Sequence, residues 1–269
     1  MTRDAPLGVF DSGLGGLTVV RALREALPGE KIVYLGDTAR VPYGSKGAAT
    51  VVKYALSCAR HLAARDVKAV VVACNTVSAV ALDRLRVELD APVIGVVEPG
   101  ARAAVAATRT GRIGVLATTG TIASGAYPRA VAQLSTRAEV IGQAAPLLAP
   151  LVEEGWTDGD VPAMVVRRYV EPLAAAKVDV VLLGCTHYPL LRRVIEAEVE
   201  TRIGRDVSVV DSAHATALEV RGFLETRRLT REAAAGEVQF LVTDLPRSFR
   251  EVASRFLGGE VVEVEQVDL

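Results

Sequence analysis

Nine short runs of aliphatic and β-branched residues punctuate this chain, and most are unbroken rather than alternating with polar residues. They are Leu7–Phe10, Lys31–Leu35, Ala69–Ala73, Val93–Val97, Ile113–Leu116, Val178–Leu183, Val207–Val210, Val238–Val242 and Val261–Val264. Unbroken apolar runs suit strands covered on both faces, the situation of parallel strands between layers of helix. Longer segments of helical pattern separate them: Leu17–Leu27, stopped by Pro28-Gly29, then Ser45–Arg65 with Ser45 as its N-cap, and Asp160–Ala176. This alternation predicts an α/β fold with mainly parallel central sheets.

A weak internal repeat divides the chain. "KAVVVACNTVSAVAL" from Lys68 matches "VDVVLLGCTHYPLL" from Val178: each is a buried strand, a cysteine, a polar pair and an apolar helix. "GVFDSGLGG" from Gly8 can be laid against "GVLATTGTIASG" from Gly114. Both offsets are roughly a hundred residues, the size of a small α/β domain. Two pseudo-symmetric α/β domains follow, with the active site in the cleft between them. The first is expected to hold residues 1–97 and 210–269, with Asp11 and Cys74; the second holds 98–209, with Cys185 and His187. Open α/β sheets bind ligands outside the carboxyl ends of their strands, where all four matched loops fall.

Composition removes several classes of function. Half of the 269 residues are apolar, net charge is −1, and no basic block stands out, so neither direct nucleic-acid binding nor an anionic membrane is expected. No apolar stretch approaches the roughly 20 residues of a membrane span. The chain enters the strand-like "LGVFD" without a signal-peptide pattern, which makes a cytoplasmic location the expectation. Three cysteines, none spaced as a metal pair, argue against a disulfide framework or zinc site, and His61 and His214 have no ligand partner at metal spacing. No metal is expected. A pyridoxal cofactor needs a Schiff-base lysine, but Lys31, Lys68 and Lys177 precede strands, Lys53 is mid-helix, and only Lys46 lies near a cleft loop. No cofactor is expected either. The glycines of "DSGLGG" fit neither the dinucleotide fingerprint nor a Walker loop.

A cysteine between a strand and a helix N-terminus sits where unpaired N–H groups and the helix dipole favour thiolate, the reactive form. One such cysteine could equally be a small core residue. Two with the same flanking grammar, "ACNT" and "GCTH", point to a pair of acid/base thiols on either side of a substrate. Cys58, in mid-helix, is assigned to the core.

Five motifs in order, "GVFDSGLGGLTV", "YLGDTARVPYG", "ACNTVSA", "PLLAPLVEEG" and "GCTHYPLL", resemble the bacterial glutamate racemases, pyridoxal-phosphate-independent members of the aspartate/glutamate racemase superfamily. The resemblance covers nearly the whole chain. It departs at Val77, where alanine is expected, and at Leu14, where valine or isoleucine is common; neither position carries chemistry. The resemblance implies that Cys74 takes the Cα proton from D-glutamate and Cys185 from L-glutamate, with Asp11 the partner of Cys74 and His187 of Cys185. Asp37 and Glu153 are implied as supporting residues. Glutamate carries two carboxylates and an ammonium, which suits hydroxyl, amide and backbone donors. Asp11, Ser12, Tyr43, Gly44, Asn75, Thr76, Thr186 and His187, with Thr118 and Thr121 by resemblance, are the expected substrate contacts.

Further implications are a homodimer, a role in supplying D-glutamate for peptidoglycan, and no dependence on a cell-wall-precursor activator, since Leu7 is already in the first strand. Alternatives are an aspartate or related racemase, opposed by His187 where the aspartate enzymes are expected to carry glutamate, and a single-thiol decarboxylase, opposed by the second cysteine. Some family members, notably mycobacterial ones, are associated with inhibition of DNA gyrase, so a non-catalytic gyrase-binding role also stands as an alternative.

Overall fold

A computed structural model describes residues 2–245, 249–259 and 263–269. The first lobe runs β1 (Leu7–Asp11), α1 (Leu17–Ala26), β2 (Ile32–Gly36), α2 (Ala48–Ala63), β3 (Ala69–Val72), α3 (Asn75–Val80), α4 (Leu82–Glu88) and β4 (Val93–Gly95). Helix α5 (Val97–Ala107) crosses to the second lobe: β5 (Arg112–Ala117), α6 (Thr119–Ser124), α7 (Ala126–Leu134), β6 (Glu139–Ala144), α8 (Leu148–Glu153), α9 (Asp160–Ala175), β7 (Val180–Gly184), α10 (Arg192–Arg202) and β8 (Ser208–Asp211). The chain returns through α11 (Ser212–Thr226) to β9 (Val238–Val242), α12 (Phe249–Leu257) and β10 (Glu265–Gln266).

Among the described residues every strand pairing is parallel. The first sheet has the order β10-β9-β2-β1-β3-β4 and the second β6-β5-β7-β8. Without β9 and β10 the two orders are the same, so the sequence repeat is a repeat of topology: β1 answers to β5 and β3 to β7. Strands β1, β2, β3 and β7 are buried at every residue, which is why their sequences are unbroken runs. Helix α2 turns Val51, Ala55, Cys58, Ala59 and Leu62 inward, a spacing that puts one helical face on the sheet. Cys58 is thus a core residue, and burial first, then the charge of Asp37, pushes its thiol well above the usual range.

Several boundaries differ from the sequence expectation. Strand β6 was not expected: it is a half-exposed edge strand carrying Gly142 and Gln143, so it has no unbroken apolar run to announce it. Val97 opens α5 instead of closing β4. Of the expected strand Val261–Val264, residues 261 and 262 lie outside the described residues, and the pairing with β9 is made by Glu265 and Gln266. Ser45 does not cap α2; Gly47 does, because a turn closed by Lys46 N–H on Tyr43 C=O delays the helix start. The expected return at residue 210 falls inside β8, so the sheets place the crossing at the start of α11. Helices α5 and α11, which make the two crossings, pack on each other.

Candidate active site

The carboxyl ends of four topologically matched strands bear the expected loops. Asp11 ends β1, Cys74 follows β3, Thr118 follows β5, and Cys185 follows β7. They surround a cavity of about 220 Å³ whose wall contains both cysteines, Ser12, Asn75, Thr76 and Thr118. Tyr43, Gly44, Glu153, Thr186 and His187 complete the expected residues in the wall. Asp11, Asp37 and Thr121 are not in it; they stand behind residues that are.

Cys74 is 5% exposed and N-caps α3. The position was expected to favour thiolate, but burial, followed by the charge of Asp11, pushes the thiol up to about 12. Desolvation outweighs a helix terminus of this kind because an isolated anion loses far more hydration than a fractional dipole charge returns. Cys74 Sγ lies 3.5 Å from Ser12 Oγ, and no hydrogen bond joins it to Asp11. Asp11 is completely buried. Its Oδ2 accepts the Gly13 N–H at 3.2 Å, while Oδ1 has no hydrogen-bond partner among the described residues. Burial raises its carboxyl above the usual range against the opposing charge of His187 and nearby backbone N–H groups. Asp11 therefore acts on Cys74 through space, as charge.

Cys185 is built differently. A bend and a short 3₁₀ turn, Tyr188–Leu191, separate it from α10, so the helix expected directly after "CTH" begins only at Arg192. Its Sγ lies 3.8 Å from His187 Nδ1, and His187 Nε2 lies 2.9 Å from Glu153 Oε1. Burial disfavours the imidazolium, but hydrogen bonds to Cys185 and Glu153 outweigh it and raise His187 to about 10. Glu153 is lowered first by that same hydrogen bond. The edge of Phe256, from α12, meets the His187 ring at 5.0 Å between centroids.

Other contacts join the lobes. Thr18 Oγ1, on α1, donates within reach of both Gly15 C=O at 2.9 Å and Thr186 C=O at 3.0 Å. Gly15 itself packs so closely under the second cysteine loop that a Cβ there would lie 2.5 Å from His187 Nδ1 and closer still to Thr186 Oγ1. Thr76 of the first lobe shares hydroxyl hydrogen bonds with Thr118 at 3.0 Å and Thr121 at 3.3 Å of the second. The Gly120 N–H donates to Gly44 C=O at 2.9 Å at the cavity rim. Asp37 is a fully buried anchor: it accepts from Tyr43 Oη, from Arg40 Nε at 2.9 Å and from Thr243 Oγ1 at 2.8 Å, and so holds Tyr43 in place from behind. The sequence reading missed Thr18, Phe256 and the apolar wall of Val41, Pro42, Pro146, Ala149 and Pro150. All but Phe256 lie within the five motifs, whose residue types alone do not say which side chains face the cavity.

A wider groove of about 900 Å³ lies between α5 and α11, but neither cysteine reaches it; of its charged residues, Arg102 pairs with Glu219 at 3.5 Å and Arg192 with Asp211, while Arg227 lies over the Phe223 ring. His214 is there, His61 is on α2, and Lys46 is not in the wall of the thiol cavity. Among the described residues no group of three or more His, Cys, Asp and Glu side chains could hold a metal ion, and no helix is long and apolar enough to cross a membrane.

Two α/β lobes with one strand order thus each present a buried thiol from a matched strand end to one cavity. Residues 14–220 match the Asp/Glu/Hydantoin racemase family. A glutamate racemase of Geobacter metallireducens is 50% identical over 264 residues, covering 98% of this chain and 96% of that protein. The crystal structure of a glutamate racemase isoform from Bacillus anthracis aligns with a TM-score of 0.94 at 38% identity, over 99% of this chain and 98% of that one. That of the Francisella tularensis glutamate racemase in complex with D-glutamate aligns with a TM-score of 0.91 at 35% identity and the same coverage. The chain belongs to the Asp/Glu/Hydantoin racemase family and, within it, to the glutamate racemases.

Proposed function

We propose that this protein interconverts L- and D-glutamate by two thiols that exchange roles, without a cofactor. The observation that carries the reading is the pair Cys74 and Cys185, at matched strand ends of different lobes and in the wall of one cavity. From D-glutamate, the Cys74 thiolate takes the Cα proton and the Cys185 thiol delivers its own to the opposite face. One proton leaves carbon and one arrives, with no change in oxidation state. From L-glutamate the roles reverse, which is general acid–base catalysis in both directions. The high position of Cys74 fits a thiol that ionises only with help: a substrate ammonium beside it counters the Asp11 charge that opposes ionisation. His187 carries the positive charge that balances Cys185 after it has given up its proton.

Donors dominate the wall where carboxylates would sit: Ser12, Asn75, Thr76, Thr118 and Thr186. The curated relatives named as glutamate racemases and the D-glutamate in the Francisella structure support glutamate over aspartate as substrate. The biological role of this reading is D-glutamate supply for peptidoglycan. A homodimer belongs to it, tested by light scattering of the purified protein. The decisive experiment incubates dialysed protein in deuterated water with L-glutamate and separately with L-aspartate, following optical rotation and loss of the Cα proton by NMR. D-glutamate carrying solvent deuterium, with aspartate untouched, is expected. Exchange of aspartate alone, or of neither, overturns the proposal.

A further inference from the structure

Asn75 is the only asparagine among 269 residues. It is 2% exposed, opens α3 directly after Cys74, and contributes to the cavity wall. A carboxamide has an acceptor end and a donor end of nearly the same shape, and which end faces a ligand depends on its other hydrogen bonds. Here both restraints come from beyond the first sheet. Tyr127 Oη, on α7 of the second lobe, donates to Asn75 Oδ1 at 2.6 Å. Asn75 Nδ2 donates to Ser212 Oγ, at the first residue of α11, at 3.4 Å. Tyr127 and Ser212 are 1% and 3% exposed, and neither is in the cavity wall.

We propose that Tyr127 is a positioning residue for racemisation: its buried phenol, donating across the lobe interface, holds the Asn75 amide with its N–H end toward the cavity. With Oδ1 occupied by a hydroxyl donor, the amide keeps one N–H for Ser212 and has a second for a ligand. The wall beside Cys74 then presents a donor, which is what a carboxylate requires. The phenol is suited to this because it stays protonated: burial first, and the charge of Cys185 next, push it well above the usual tyrosine range. Its ring is also located by the strand that bears the other thiol. A Cβ on Gly184, the residue before Cys185, would lie 3.0 Å from Tyr127 Cε2. The amide next to one thiol is thereby registered to the strand carrying the other. The carboxylate part of this inference rests on the glutamate reading above.

The single asparagine makes the test direct. Protein labelled only with [15N]asparagine gives one side-chain NH2 signal. In the wild type this signal should shift on adding D-glutamate; in Tyr127→Phe, which keeps the ring but not the donor, it should move in the free protein and exchange faster with water. KM for both enantiomers should rise about five- to tenfold, the scale of one net hydrogen bond, with kcat within about twofold. In an Asn75→Ala background Tyr127→Phe should add nothing. A signal unmoved by Tyr127→Phe, or an effect undiminished in the Asn75→Ala background, overturns the proposal. Should Tyr127→Phe not fold, Asn75→Asp keeps the acceptor for Tyr127 and replaces the donor end by a second acceptor; D-glutamate binding by that variant at wild-type strength also overturns it. The two readings fail separately. Failure of the glutamate reading shows in the wild type before any substitution, whereas failure of this one shows in a protein that racemises glutamate.

Discussion

Cys74 and His187 face opposite electrostatic problems within one cavity, and each can be probed alone. The Cys74 thiol is pushed up to about 12 by burial and then by Asp11. Asp11→Asn removes that charge, so Cys74 should be alkylated at lower pH than in the wild type, measured by iodoacetamide labelling in a background lacking the other two cysteines. A fall in turnover without any change in Cys74 labelling would remove the through-space coupling. His187 is raised from its ordinary 6.5 to about 10. A group whose folded value is raised gives stability that is complete below the unfolded value and is lost as pH rises through the folded one. His187→Gln should therefore melt lowest relative to wild type below pH 6.5, with the gap closing as pH approaches 10. A gap independent of pH would mean that His187 does not stay protonated in the fold.

Between residues and fold stands the glycine loop Gly13–Gly16, which lets α1 and the second cysteine loop approach each other. Thr18 ties the two by hydrogen bonds to Gly15 and to Thr186, the latter 168 positions from Thr18 in sequence. Gly15 leaves no room for a side chain against His187 Nδ1. Gly15→Ala should displace the imidazole from Cys185 and lower kcat by about a hundredfold, since a misplacement of about 1 Å is enough for such a loss. Steady-state rates in both directions check this, and the loss should be greater where Cys185 takes the proton. A variant with wild-type rates would show that the loop yields without moving His187.

Over the whole molecule, the end of the first sheet remote from the cavity is held by a buried ion pair. Lys68, just before β3, is completely buried against Glu30, and its Nζ also donates to Arg3 C=O at 2.8 Å and Leu229 C=O at 2.9 Å. Glu30 Oε1 in turn accepts the Arg231 N–H at 2.7 Å. Removing one partner of such a pair leaves an uncompensated charge, so Lys68→Ala should lower unfolding free energy by about 3–5 kcal/mol. Urea denaturation reads the loss. KM for glutamate should be unchanged, because Lys68 precedes the strand whose far end carries Cys74.

Local pattern alone was enough for most of the strand runs, the repeat and the placing of Cys74 and Cys185 at strand ends, because burial on both faces dictates residue type and the strand-to-loop junction is set by its neighbours in sequence. The same pattern passed over β6, whose exposed edge demands no apolar run. It could not reveal that Asp37 supports Tyr43 from behind, that the thiol of Cys74 meets Ser12 and not Asp11, or that Tyr127 donates to Asn75 from 52 positions away. Nor could it foresee a Cys74 thiol raised by burial where a helix start predicted the reverse. The amino-acid sequence determined which chemical groups would stand at the mouths of the two sheets. Only the tertiary structure decided which of them touch, which are desolvated and where their protons rest, because hydration loss and Coulomb energy depend on distances between residues far apart along the chain.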